Sequence, residues 1–459
     1  MTISNITRVA VVGLGLTMLS SCHIYNKFDM PDDNALAQEY VQACEAEVDS
    51  ATFGNLQWQQ VFTDPVLADL INQALENNAN LDNARLNVEM AQAQLQGARL
   101  SYLPSVALAP NGAGASYAQS ALTWTYQLPV AVSWEIDIFG KLLNGNRSAK
   151  AAVRQSKAYE QAVRSQVIAG VANCYYAIAS LEKQLAVSRQ TAENWRQSVE
   201  VMKNLKLAGR TNEAGVVQSN ANYYSILASI TDLEVALHEA NNTMSLLLNV
   251  MPQQWNISAD ATLQAPAMMR EAIPMRELAA RPDIRAAEQS VAVAYYATNQ
   301  ARSAFYPSIN ISANGGFTNL LGSVITNPGE LFLQLAGQLT APIFARGSNL
   351  ARFKAARAQQ EQAMNNFETA LLSASAEVSN AMTIYNKSNE KLQLLDVQVQ
   401  NLEKSVEYTQ DLLSYGTASY LEVLNAQTSL LAAQMSQISC DLTKAQSVIN
   451  LYQSLGGGR

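Results

Sequence analysis

The sequence predicts a mainly α chain, internally duplicated, that carries a small set of membrane β-strands between very long helices. Three observations predict it. The chain repeats itself at a spacing of just over 200 residues. Two stretches are almost free of charge and alternate large apolar with small or polar residues, the strand period. Four other stretches (146–208, 216–251, 348–415 and 417–455) run for 36 to 68 residues with at most one Gly and no Pro, and carry apolar residues at steps of three and four.

The first 21 residues are read apart. Residues 9–23, VAVVGLGLTMLSSCH, admit two meanings. Gly13-Leu14-Gly15 after an apolar run could open a dinucleotide-binding turn, but the third glycine position is Met18. The other meaning is an export signal. Arg8 is the only charge before Cys22, the apolar core from Val9 to Leu19 is too short to span a bilayer, and Leu19-Ser20-Ser21-Cys22 has the form of a bacterial lipobox. This reading makes 1–21 a lipoprotein signal peptide, makes Cys22 the lipidation site, and takes the chain out of the cytoplasm.

Composition then excludes several classes. With 38 acidic and 30 basic side chains the net charge is −8, so no nucleic-acid partner is expected. The cysteines after Cys22 (Cys44, Cys174 and Cys440) are odd in number and scattered, and are expected as small buried hydrophobes rather than disulfides. Only His23 and His238 are present, with no ligand-like neighbours, so neither a metal site nor a histidine triad is expected. No P-loop, G-x-S-x-G or C-x-x-C occurs, no cofactor is called for, and polar residues lie spread over helices rather than converging as an enzyme requires.

The duplication is visible residue by residue. ARLSYLPS at 98–105 answers ARSAFYPS at 301–308; Ile138-Phe139-Gly140-Lys141 answers Ile343-Phe344-Ala345-Arg346; Gly209 and Val216-Val217 answer Gly416 and Val423-Leu424. Each copy reads helix, strand pair, long helix, turn, long helix. The expected layout is an N-terminal anchored segment over 22–65 and a first repeat over 66–250, with its β-hairpin at 105–138 and helical hairpin at 146–250. A linker follows over 251–275. The second repeat covers 276–455, with β-hairpin 308–344 and helical hairpin 347–455, and leaves a tail at 456–459.

Within the charge-poor stretches, Leu128, Val130, Val132 and Trp134 share one strand face, as do Leu331, Leu333, Leu335 and Leu339. The alternate positions (Gln127, Ala131, Ser133; Gln334, Ala336, Gln338) are small or polar. A soluble sandwich strand alternates too, but normally shows Lys or Glu to water; these suit lipid outside and a wet lumen inside. The hairpin bends are expected near 115–121 and 320–329, where Gly, Ser, Asn and Pro collect. Trp124, Tyr126 and Trp134 could be interface aromatics. Four strands cannot close a barrel, and lipid tolerates no open sheet edge, so several chains must pool their strands.

The helices are expected to fold back at the tips Gly209, Gly215 and Gly416. Apolar heptads such as Leu421, Leu424, Thr428, Leu431, Met435 and Ile438 predict supercoiled packing, and 68 residues at 1.5 Å each make about 100 Å of helix.

This plan resembles the bacterial TolC-like outer-membrane efflux factors, in particular the lipoprotein branch serving RND-type multidrug pumps. The segments that carry the resemblance are VSWEIDIFGKLLNGNRSAKA with LTAPIFARGSNLARFKAA, YGTASYLEVLNAQTSL, and ELAARPDIRAAEQ. It implies a homotrimer with a shared 12-stranded barrel in the outer membrane and an α-barrel across the periplasm. It implies a periplasmic adaptor and an inner-membrane RND pump as partners, outer-membrane lipid around the barrel, and passage of small toxic molecules without chemical conversion. It also implies a periplasmic gate just after the second tip. There Glu422-Val423-Leu424-Asn425-Ala426 stands where the family pattern is approximately Asp-Val-Leu-Asp-Ala. Glu422 keeps an acid, Asn425 departs from one, and Tyr420 and Leu421 are the bulky candidates for a constriction. Two alternatives are an exit duct for an ABC-type export system and a pore-less periplasmic lipoprotein coiled coil.

Overall fold

The computed structural model describes residues 25–30, 35–45, 56–116, 121–263, 275–321 and 324–458. Cys22 and the signal segment lie outside the described residues, as do the tip of the first β-hairpin and most of the second half of the linker.

The chain divides into two units. One comprises Leu86–Lys157 and Arg285–Thr369 with the described part of Met1–Ala37; the other comprises Gln38–Arg85, Ala158–Ile284 and Ala370–Arg459. The duplication reappears as equal element lengths. Helix α4 (Ala79–Leu100) and helix α8 (Pro282–Ser303) each have 22 residues. Helices α5 (Lys141–Leu207) and α9 (Ser348–Ser414) each have 67, and helices α6 (Glu213–Leu247) and α10 (Tyr420–Ser454) each have 35. Helix α5 begins five residues earlier than the expected 146, directly after Gly140, which turns the chain at φ +69°. Among the described residues three shorter helices precede α4: α1 (Ala35–Glu45), α2 (Trp58–Val61) and α3 (Pro65–Asn77); α7 (Met275–Ala279) precedes α8. No described helix is long and apolar enough to cross a membrane.

The first unit contains the sheet. Strands β1 (Ser105–Leu108) and β2 (Asn111–Ala115) both pair antiparallel with β3 (Thr123–Ile136), so they form one edge strand interrupted at Ala109 and Pro110. Strand β3 pairs with β4 (Ser308–Leu321), and β4 with β5 (Val324–Thr340). The two repeats therefore join side by side through β3 and β4, leaving β1/β2 and β5 as open edges. The second bend is shorter than expected. Pro328 and Gly329 belong to β5, inside an irregularity where only Asn319 on β4 faces residues 326–329. Proline, which donates no ladder hydrogen bond, is accommodated at such a bulge.

Near the sheet's end the N-terminal segment is tied down. Arg147 of α5 donates to the carbonyls of Tyr25 and Asn26 at 3.2 Å each, and Phe28 donates its backbone N–H to the Tyr296 hydroxyl at 2.9 Å.

The second unit is a helical core. Asp64 caps α3 by accepting from the backbone of Val66 and Leu67 and takes the Tyr175 hydroxyl at 2.7 Å, fixing α3 on α5. Arg281, 6% exposed, reaches Asp283, Glu377 and the Ser454 carbonyl, which ties the start of α8 to α9 and the end of α10. Burial pushes the Cys174 thiol up to about 11, and Cys440 is likewise buried. Cys44, expected to be buried, is exposed in the last turn of α1, although it continues the stripe of the buried Ala37 and Tyr40.

Candidate functional site

Two features stand out as candidates for conduction, the sheet in the first unit and the helical tips in the second.

The strand register decides which side chains share a face. Val106 lies opposite Val132, Leu108 opposite Val130, Leu128 opposite Phe317, Trp134 opposite Ile311, Phe317 opposite Leu331, and Ile309 opposite Leu339. Side chains directly opposite point the same way, so one face is apolar across every strand. It is also uncovered within the chain: Val106, Leu108, Leu331, Leu333, Leu335 and Leu339 are each at least 67% exposed. The other face pairs Ser105 with Ser133, Ser133 with Ser312, Asn310 with Gln338 and Asn314 with Gln334. It is polar and nearly uncharged. An apolar face this extensive has no place in water, and the hydroxyl and amide face has none in lipid. Glu135, at the sheet's end, is neutralised by Lys141 at 2.8 Å.

The sheet's upper end is locked by side chains. The Asn319 amide accepts from the Tyr126 N–H at 2.6 Å and donates to the Trp124 carbonyl at 2.8 Å, extending the β3–β4 contact beyond the last ladder pair, Gln127 with Thr318. Trp124 is exposed beside Gly114, as an interface aromatic would be, whereas the Tyr126 hydroxyl is engaged by the Gly329 N–H at 3.0 Å. Trp134 is 41% exposed, with its indole N–H on the Tyr102 carbonyl. In the middle, Pro129 of β3 stands opposite Gly316 of β4, and a Cβ at 316 would lie 2.0 Å from the Leu128 carbonyl oxygen.

At the tips, Gly209 and Gly416 have φ of +70° and +75°. Each closes its helix with the same paired bonds, Gly209 N–H to the Lys206 carbonyl with Arg210 N–H to Leu205, and Gly416 N–H to Leu413 with Thr417 N–H to Leu412. Gly215 is not in the turn. It lies in the first turn of α6, where the Asn212 side chain caps it, and a Cβ there would meet the Met202 methyl at 2.6 Å.

The four residues after the second tip separate into two groups. Tyr420 is 9% exposed and packs with Met202, Val216 and Leu424, between the two hairpins. Leu421 is 56% exposed, and Glu422 and Asn425 are exposed beside it. The heptad reading placed Leu421 on the buried seam; the seam runs through Tyr420 and Leu424 instead, because Met202 and Val216 occupy that side. Sequence reasoning also missed Trp195. It is 5% exposed, in a cluster with Ala192 and Ile226, and its signal was the apolar stripe Trp195, Val199, Met202 along α5.

The family model for outer membrane efflux proteins matches residues 70–250 and 273–457. The chain is 28% identical over 407 residues to SilC, a probable outer membrane lipoprotein of Salmonella typhimurium, covering 87% of this chain and 88% of SilC. It is 27% identical over 459 residues to the cation efflux system protein CusC of Escherichia coli (strain K12), covering 97% and 98% of the two chains. Among solved structures, that of CusC superposes with a TM-score of 0.82 at 25% identity, over 95% of this chain and 99% of that one.

Proposed function

Because this chain belongs to the outer membrane efflux protein family, and so serves efflux at the outer membrane, we propose that it is the exit duct of a tripartite system. Three copies pool their strands, receive small toxic molecules from an inner-membrane RND pump through a periplasmic adaptor, and release them outside without converting them. The observation that supports this most directly is the two-faced, nearly uncharged sheet with open edges at β1/β2 and β5. In lipid those edges must be paired, and a second copy offers the complementary edge. The cargo is set by the pump, since the described residues hold no cluster of His, Cys, Asp or Glu suited to a metal ion.

We place the gate of this duct at the second tip. Leu421 and Glu422 are the exposed residues there, so in a ring of three copies they narrow the path and set its charge, while Tyr420 supports them from inside the hairpin contact. Planar-bilayer recording of the full-length protein tests this. Wild type should show a small conductance, Leu421→Ala a several-fold larger one, and Glu422→Gln a reduced preference for cations. No conductance from any of the three would remove the duct reading.

Acylation at Cys22 fits the tethering of residues 25–28. Tyr25 lies against Gly140, just beyond the end of β3, and three residues span at most about 10 Å. The mature chain should begin at Cys22 with the mass of a diacylglyceryl adduct, and Cys22→Ser should lose it while keeping the sheet.

A further inference from the structure

The two hairpin tips meet around a groove of about 520 Å³ lined by Trp195 and Val201 of α5, Leu413 of α9, and Tyr420, Gln427 and Leu431 of α10. No charged side chain lines it. Three buried polar atoms of its walls have no hydrogen-bond partner: the Trp195 indole N–H, the Tyr420 hydroxyl and the Gln427 side-chain carbonyl. Trp195 and Tyr420 are themselves more than nine-tenths buried.

Such atoms are rare in folded proteins, because burying a polar group without a partner forfeits its bonds to water. Three around one groove is a concentration, and it coincides with the contact between hairpins. Farther from the tip, paired polar groups join the two helices of each hairpin: Arg189 with Glu234 at 2.8 Å, Lys444 with Asn389 at 3.0 Å, and Gln437 with Asp396. At the tip the two hairpins are held by the small apolar cluster of Met202, Val216, Tyr420 and Leu424, with the groove on the other side of Tyr420.

We propose that these three groups are a built-in bias against the packing of the second tip on the first. The cluster holds α10 on α5, and the orphaned groups oppose it. A shift of the first two turns of α10 away from α5 gives all three access to water or to one another. The tip is thus a two-state element with a narrow margin, which a partner pressing on it can tip with modest differential affinity. The inference rests on the duct reading for its purpose, but its physical content concerns the hairpin contact alone.

The test replaces the orphaned atoms without changing shape, since apolar isosteres of unpaired polar groups stabilise a packed state. Full-length Tyr420→Phe/Gln427→Met is compared with wild type in detergent by amide hydrogen exchange over 190–205 and 418–432, and in planar bilayers by open fraction. Exchange in both segments should slow at least tenfold, and the open fraction should fall. Exchange that is unchanged or faster overturns the proposal, as does an unchanged open fraction in a protein whose wild type conducts. Tyr420→Phe alone, which keeps the ring packed on Met202, carries the same readouts if the double variant does not assemble. A wild type that never conducts removes the duct reading, while the exchange comparison still decides this one.

Discussion

Leu333→Arg should abolish accumulation of the protein in the outer membrane, while Gln334→Arg, one residue along, should not. Leu333 is 74% exposed at the middle of β5 and shares its face with Leu331, Leu335 and Leu339; Gln334 points the opposite way, beside Asn314. A guanidinium on the lipid face at mid-depth costs about 2–4 kcal/mol per strand position. Every copy in a barrel carries it, so the assembly bears it several times over. On the lumen face the same side chain stays hydrated. The readout is the fraction of protein recovered with outer membranes as a detergent-resistant oligomer. Equal recovery of both variants would mean that the alternation does not face lipid and water.

Gly316→Val should prevent the two halves of the sheet from joining. The strands approach so closely at Gly316 and Pro129 that a Cβ would lie 2.0 Å from the Leu128 carbonyl oxygen and 2.8 Å from the Pro129 Cα. Neither neighbour can yield, because both are backbone in the central strand β3. Relief requires β3 and β4 to part, which unpairs flanking N–H and C=O groups. In lipid each such group costs several kcal/mol. The result expected is full-length protein with intact helical content by circular dichroism but no heat-modifiable oligomer. Gly315→Ala is the matched control, since a Cβ there meets only the Leu333 side chain at 3.4 Å and the Phe332 carbonyl oxygen at 3.7 Å.

Much of this fold can be read from the residues. The duplication sets the element order, and the equal helix lengths follow from it. Gly209 and Gly416 mark the tips because only a residue tolerant of positive φ closes a helix in this way. What could not be read has physical reasons. Pro328-Gly329 has the composition of a bend, yet the bend comes earlier: β5 bulges over 326–329, and the Gly329 N–H is taken up by the Tyr126 hydroxyl from β3. The heptad reading put Leu421 on the seam at the second tip, where its neighbour Tyr420 lies instead. Periodicity gives the spacing of a buried stripe, but Met202 and Val216, more than 200 residues away in the chain, choose which neighbour lies under it. Gly215 looked like a turn residue and is a contact residue, needed where α6 passes the Met202 methyl. The unpartnered polar atoms of Trp195 on α5, and of Tyr420 and Gln427 in the first two turns of α10, come from two places in the sequence and meet only once the hairpins are set together.

In the duct proposed above, one chain supplies four strands to a barrel that only several chains can close. Native mass spectrometry of the full-length protein, extracted from membranes in mild detergent, tests it most directly. The account predicts a complex of three chains that persists until the detergent is stripped under strong activation. A single chain that stays in solution without detergent would contradict it, and would leave the open strand edges and the apolar sheet face without an explanation.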